Sequence, residues 1–300
     1  MRSLEQEVDS AMKPRRWRER LLLNEDLNFL LTNRVPRILL TRWMGRFSQI
    51  RSPWLARLSI RVWRLFTELD LSDAKKTSFD SLHDCFTREL KPGARTVDTT
   101  TSVLSSPCDA IVGACGAVHG STVYQAKGFP YALVDLLGDD ALAQTYRDGT
   151  YVTLRLTSSM YHRFHAPHDG RVEHVTYISG DTWNVNPIAL KRIERLFCRN
   201  ERAALRYRLA SSGDLITLVP VAAVLVASIQ LHGLDTLLHL GYRGPNQIPA
   251  ALPFAKGAEM GWFQHGSTII VFAPRGYTLC SGIEPGRTLR MGERLMRCPP

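Results

Sequence analysis

Leu215-Ile216-Thr217-Leu218-Val219-Pro220-Val221-Ala222-Ala223-Val224-Leu225-Val226-Ala227-Ser228-Ile229-Gln230-Leu231 runs for 17 residues without a charge. Read as a helix it is marginal for a membrane span, which takes about 20 apolar residues. Pro220 and the density of Val and Ile favour buried β-strands instead. The flanking sequence has the same texture. From about residue 100 onward, short Val/Ile/Leu/Thr runs are split by Gly, Pro and Asp: Ala110-Ile111-Val112, Tyr151-Val152-Thr153-Leu154, Arg171-Val172-Glu173-His174-Val175, and Ser267 to Phe272. Strands this short, with a turn every ten or so residues, predict a β-rich core. One helix is expected around Ile188–Leu196, just after Pro187.

The first third reads differently. From Leu27 to about Phe66, apolar residues recur at helical spacing (Ile38, Leu39, Trp43, Phe47, Ile50, then Leu55, Leu58, Val62, Leu65), with Arg42, Arg46, Arg57, Arg61 and Arg64 between them. Pro36 and Pro53 each stand where a new helix can begin. Lys91-Pro92-Gly93-Ala94-Arg95 reads as the loop joining the helical and β-rich parts. The expected class is therefore α+β, with an N-terminal amphipathic helical region on a β-rich catalytic domain. The expected divisions are a charged extension at 1–20, a helical, membrane-associating region at 21–98, and the β-rich domain at 99–300.

The net charge of +10 is unevenly placed: residues 1–66 hold 14 Lys/Arg against 6 Asp/Glu, and four of the six tryptophans. Arginine interleaved with Trp and Leu suits an anionic membrane surface, where guanidinium meets phosphate and indole sits among the headgroups. A basic-faced helical hairpin packed on the domain is the plainer alternative. Nucleic acid is the rival partner for a basic patch, but no recognisable nucleic-acid module accompanies it, and none is expected. Leu21-Leu22-Leu23 is too short for the apolar core of a signal peptide. Six cysteines without a CxxC pair suggest neither a zinc site nor a disulfide framework, and a reducing compartment.

Three groups of residues could carry chemistry. Gly266-Ser267-Thr268 enters an apolar β-like run, so a hydroxyl nucleophile stands beside the unhindered carbonyl of Gly266; the tripeptide alone is common in ordinary turns. Tyr161-His162-Arg163-Phe164-His165-Ala166-Pro167-His168 holds three histidines at spacing three. These could ligate a metal, fill structural positions or do acid–base work. Pro167 and the opposite faces of His162 and His165 in a strand count against a metal, and none is expected. Asp109 lies at a proline-started turn ahead of a strand, where Asp is commonplace. With a histidine and an exposed serine it could complete an Asp–His–Ser relay.

The chain resembles phosphatidylserine decarboxylase of the bacterial, membrane-associated type, over about Leu21 to Glu293. Seven blocks carry the resemblance in order: Leu27–Arg34, Asp84–Arg95, Gln125-Ala126-Lys127-Gly128 with Leu136-Leu137-Gly138, Tyr161–Pro167, Val185-Asn186-Pro187, Asn200-Glu201-Arg202, and Gly266-Ser267-Thr268. The resemblance implies an inactive proenzyme that cuts itself between Gly266 and Ser267, leaving a β chain of residues 1–266 and an α chain of 267–300. Asp109 would orient His165, and His165 would take the proton of Ser267 for attack on the Gly266 carbonyl. Elimination and hydrolysis would turn Ser267 into a covalent pyruvoyl cofactor. That group forms a Schiff base with the serine amine of phosphatidylserine and accepts electrons as carbon dioxide leaves. His162 would be the general acid that protonates the carbanion, releasing phosphatidylethanolamine. The implied partners are phosphatidylserine in anionic membranes and the α and β chains of one precursor, and a homodimer is compatible with them. The implied location is peripheral, on the cytoplasmic face of the cell membrane.

Some positions depart from the family pattern: Cys108 and Ala110 around Asp109, Met160 in place of a common acid, Ala222 and Ala227 for two glycines, and His265 before the Gly-Ser step. Asp109, His165 and Ser267 are all retained. Two other functions fit the residues: a serine hydrolase or transferase acting on lipids with Ser267 intact, and a non-catalytic membrane-binding scaffold.

Overall fold

The structure is a computed structural model that describes residues 25–34, 36–124, 129–225, 228–264 and 268–300. The charged extension at 1–20 and the Gly266-Ser267 step lie outside the described residues.

Three helices open the described chain: α1 (Glu25–Asn33), α2 (Arg37–Ser48) and α3 (Pro53–Phe66). The two prolines stand where the sequence places them. Pro36 precedes α2, and Pro53 is the first residue of α3, whose Ser52 cap accepts a hydrogen bond from the Leu55 N–H. A short α4 (Leu82–Phe86) follows, and the Lys91–Arg95 loop turns at Gly93 with φ of +78°.

Strands dominate from there: β1 (Val103–Ser105), β2 (Ala110–Ala117), β3 (Thr122–Tyr124) and β4 (Pro130–Ala132) lead to α5 (Leu133–Leu137) and α6 (Asp140–Thr145). Next come β5 (Thr150–Arg155), β6 (Arg163–His165) and β7 (Gly170–Ile178), then α7 (Pro187–Leu190) and α8 (Leu196–Arg199). β8 (Arg202–Leu209), β9 (Leu215–Val221), β10 (Ser228–Leu231), β11 (Leu238–His239), β12 (Gln247–Phe254) and β13 (Glu259–Phe263) follow. The chain ends with β14 (Thr268–Ala273), β15 (Thr278–Leu279), β16 (Thr288–Leu289) and β17 (Arg294–Arg297).

The uncharged run is thus β9 and β10, not a helix. The one helix expected at Ile188–Leu196 is two short turns instead. Arg195 between them takes the left-handed conformation at φ of 56°, which a continuous helix excludes. α5 and α6 were not foreseen, although Gly138 closes the first and the Asp139 side chain caps the second.

An eight-stranded antiparallel sheet, in the order β12-β7-β8-β9-β14-β5-β2-β16, is the frame. β14 lies inside it between β5 and β9, and all six of its residues are buried. Ile269 and Val271 join one apolar cluster with Leu154, Leu218 and Phe164; Ile270 and Phe272 join another with Tyr151, Val219 and Phe197. Burial on both faces explains why β9 and β14 read as unbroken apolar runs. Pro220, which has no N–H to give, is skipped in the β8–β9 ladder. At the outer edge, β12 alternates exposed and half-buried residues and carries Pro249 and Pro253, as an edge strand tolerates. A four-stranded sheet, β11-β10-β13-β6, packs its Phe164, Phe263 and Ile229 into the first cluster.

Candidate active site

The decisive arrangement is the meeting of β13 and β6. These strands pair antiparallel, with Trp262 opposite Arg163, Gly261 opposite Phe164 and Glu259 opposite His165, and the Phe263 N–H donates to the His162 carbonyl at 3.0 Å. The chain running toward Gly266-Ser267 is therefore bonded along the histidine strand. Where description resumes, Thr268 stands opposite Arg155 of β5 and Val221 of β9. Both flanks of the Gly-Ser step are fixed in sheets.

His165 is buried and bonded at both ring nitrogens: Nδ1 lies 2.9 Å from the Gly257 carbonyl and Nε2 3.0 Å from the Tyr161 hydroxyl. A carbonyl only accepts, so Nδ1 carries the proton and Nε2 offers its lone pair, with Tyr161 donating to it. Burial pushes the His165 pKa below its ordinary value, opposed by the bond to Gly257, so the ring is neutral and basic at Nε2. Burial also pushes the Tyr161 phenol up, which keeps it a donor.

His162 is fully buried, and its Nδ1 lies 2.8 Å from the Met160 carbonyl. The same reasoning puts the Nδ1 proton on that bond. The Phe86 ring packs on the imidazole with centroids 4.0 Å apart, and Trp63 of α3 stacks on Phe86 in turn.

Asp109 lies at the mouth of β2, but its carboxylate does not bond His165. It takes a forked pair from Arg95, at 2.9 Å from Nε and 2.5 Å from Nη2, and a third bond from the Met291 N–H at 2.8 Å. Arg95 also reaches Asp73 at 2.8 Å. The two residues share a neighbourhood all the same, because the His165 N–H donates to the Pro107 carbonyl, two residues before Asp109.

The Asp84–Arg95 block holds the histidine segment in place. Thr87 offers its carbonyl to the Arg163 guanidinium, Arg88 donates to the Ser159 carbonyl at 2.9 Å, and Arg163 also binds Glu259 at 2.7 Å, locking β6 to β13. Sequence reasoning gave no role to Tyr161, Arg95 or Gly257. The first two sit inside blocks already singled out. Gly257 had one signal, a turn before β13, and its φ of +80° requires glycine there.

The other blocks anchor the frame. Asn200, fully buried, donates to the Trp183 and Ala222 carbonyls, and Arg202 donates to four carbonyls. Neighbouring Glu201 has its pKa pushed up by burial to about 8, and Tyr177 donates to it. α1 and α2 dock on the same region. Asn33 accepts from the Asn184 N–H, Thr41 accepts from the Leu225 N–H, and Arg37 pairs with Asp181 at 2.6 Å while lying over Trp183. No helix among the described residues is long and apolar enough to cross a membrane.

A buried neutral histidine on β6 and a second buried histidine three residues before it are groups suited to proton transfer, on the segment that pairs with β13. The sequence pattern of the phosphatidylserine decarboxylase family matches residues 82–297, well over half of the chain. The chain is also 32% identical over 271 residues to a phosphatidylserine decarboxylase proenzyme of Shewanella sp. (strain ANA-3), covering 86% of this chain and 92% of that one. The proteins of the same name from Methylococcus capsulatus (31% identical, 88% and 94% covered) and Aliivibrio fischeri (32%, 90% and 97%) are similar at full length. This chain belongs to the phosphatidylserine decarboxylase family, and its class of enzyme is the decarboxylases.

Proposed function

We propose that this enzyme converts phosphatidylserine to phosphatidylethanolamine and carbon dioxide, after cutting itself between Gly266 and Ser267 to make its own pyruvoyl group. The observation that carries this is the β13–β6 pairing, which binds the chain leading into Gly266-Ser267 along the strand of His162 and His165.

In the cut, the Ser267 hydroxyl takes the place of the Tyr161 hydroxyl at His165 Nε2, which accepts its proton as the serine oxygen attacks the Gly266 carbonyl; the proton passes to the freed nitrogen, and the amide becomes an ester. Loss of the Ser267 α-proton then breaks the bond between its Cβ and the ester oxygen. Gly266 leaves as a carboxylate, and water replaces the nitrogen at position 267, which departs as ammonia. Asp109 serves this step through the frame: it holds Arg95 and the Met291 N–H beside the backbone that positions His165.

The residues around position 267 suit a carbonyl group. The Thr268 hydroxyl, on the residue after that position, is buried and has no hydrogen-bond partner among the described residues, so it could donate to such a group. The pyruvoyl group would supply an electron sink for decarboxylation. His162, excluded from bulk water and steadied by Met160 and Phe86, would return a proton to the carbon that loses carbon dioxide. The exposed Trp54, Leu58, Leu65 and Phe66 of α3, with its arginines, would rest the enzyme on the cytoplasmic face of an anionic membrane.

Intact-mass measurement of the purified protein tests the proposal. Two chains are expected, with masses summing to the precursor plus water minus ammonia, and Ser267→Ala should remain whole. Borohydride added with phosphatidylserine should then increase the mass of the 267–300 fragment alone. A wild-type chain that stays at 33.8 kDa would overturn it.

A further inference from the structure

Between α2, α3 and the end of β5 lies a cavity of about 780 Å³, within the range of about 300–1,000 Å³ usual for ligand pockets. Its walls are largely apolar, with Phe47, Leu58, Val62, Trp63 and Phe86 among them. Arg155 is the one charged side chain among the described residues that line it.

Arg155 is half-buried, and its guanidinium makes no hydrogen bond or ion pair among the described residues. Other arginines packed into the protein hold partners within the chain: Arg88 the Cys85 and Ser159 carbonyls, Arg95 two carboxylates, Arg202 four carbonyls. Withdrawing a guanidinium from water without a partner costs several kcal/mol in general. Here burial alone pushes the Arg155 pKa down, with no acid opposing it. A guanidinium so placed is suited to an anion from outside the chain.

Its position narrows the anion. Arg155 pairs across the sheet with Thr268, the residue after Ser267, and residues directly opposite in an antiparallel ladder point to the same face. Thr157 and Ser158, which follow Arg155 in the chain, add polar groups to the lining, and the helices supply apolar walls. An amphiphile with an anionic head at β5 and its hydrocarbon toward α2 and α3 matches this division.

We propose that Arg155 grips the phosphodiester of a glycerophospholipid whose acyl chains lie in this cavity. The identity of the reacting lipid rests on the function proposed above; the grip itself does not. In phosphatidylserine the phosphorus is separated from the reacting amine by one oxygen and two carbons, so an arginine next to position 267 has the phosphodiester within its reach. The carboxylate is the wrong partner on chemical grounds. It sheds its charge as carbon dioxide leaves, so a guanidinium holding it stabilises the ground state more than the transition state. The phosphodiester keeps its charge throughout, and a planar donor fork suits it.

The test uses short-chain phosphatidylcholine, which has the phosphodiester but neither carboxylate nor primary amine, with calorimetry on the full-length protein. Arg155→Gln should weaken its binding by about 10- to 100-fold, the range for hydrogen bonds to charged groups, and Arg155→Lys by less. Glycerophosphocholine, which lacks acyl chains, should bind more weakly than the lipid; equal binding would mean a site for a free phosphodiester and would overturn the proposal. In turnover of phosphatidylserine, KM should rise by the same factor in Arg155→Gln. A rise in KM with phosphatidylcholine affinity unchanged would assign Arg155 to the carboxylate and also overturn it. A measurement on the wild-type chain removes any dependence on variant folding. Phosphatidylcholine should protect Arg155 from an arginine-selective dicarbonyl reagent, read by peptide mass spectrometry, and absence of protection sinks the proposal. If the protein neither cuts itself nor releases carbon dioxide, the binding and protection results still decide the role of Arg155.

Discussion

On the proposed function, the Nε2 atom of His165 would decide what the site can do at a given pH. Its ring is neutral because burial outweighs the bond from Nδ1 to Gly257. The neutral form is the base, so self-cutting should be lost as pH falls through a pKa lying below the ordinary value of about 6.5, and should be flat above it. The rate at which the shorter chain appears in freshly translated precursor, followed from pH 5 to pH 8, checks this. A rate still climbing between pH 7 and pH 8 would assign the base to another group. At this scale the sequence was legible in identity and not in partnership. His162, His165 and Asp109 could be picked out from spacing and family blocks. That Asp109 turns to Arg95 and Met291 could not, because one partner lies in the loop 14 residues before it and the other at the far end of the chain. Nor does a motif announce that Tyr161 occupies Nε2.

Helices α2 and α3 pack few residues inward: Thr41 and Ser48 from one, Ala56 and Ile60 from the other. Their outer faces show Trp43 and Trp54, which are 56% and 69% exposed, interleaved with arginine. Such a surface is costly in water unless it rests against something apolar. On the proposed membrane placement, Trp54→Asp with Leu65→Asp should lower binding to vesicles containing phosphatidylglycerol at least tenfold, as read by co-sedimentation, and added salt should weaken the wild-type interaction too. Both side chains lie outside the packed interior, so the thermal midpoint should hardly move. Binding that is indifferent to both changes would remove α3 from the contact. The boundaries of these helices were readable because Pro36 and Pro53 mark them. The split of Pro187–Leu190 from Leu196–Arg199 was not, because a left-handed arginine carries no signature in the sequence.

For the molecule as a whole, the large sheet settles what self-cutting would leave behind. Residues after position 267 supply β14 to the middle of that sheet, β16 to its edge beside β2, and β17 to a ladder with β1. Two chains made by a cut before β14 should therefore elute together from a sizing column in buffer and separate only in denaturant; elution apart in buffer would mean that the sheet does not hold them. The β-rich core was evident from the uncharged run and the short strands after residue 100. The order of strands was not, since β14 pairs with segments more than 40 and 110 residues earlier, and only the closed structure reveals such partners.

The all-buried β14 also sets an order of events. On the proposed function, Ser267 would meet His165 only once β14 lies between β5 and β9 and β13 is paired with β6, contacts that join the last quarter of the chain to its middle. A chain that misfolded in either place would then keep its peptide bond and stay inert. If maturation proceeds by the proposed cut, the enzyme proofreads its own folding, and the reactive group is issued only to molecules that have passed.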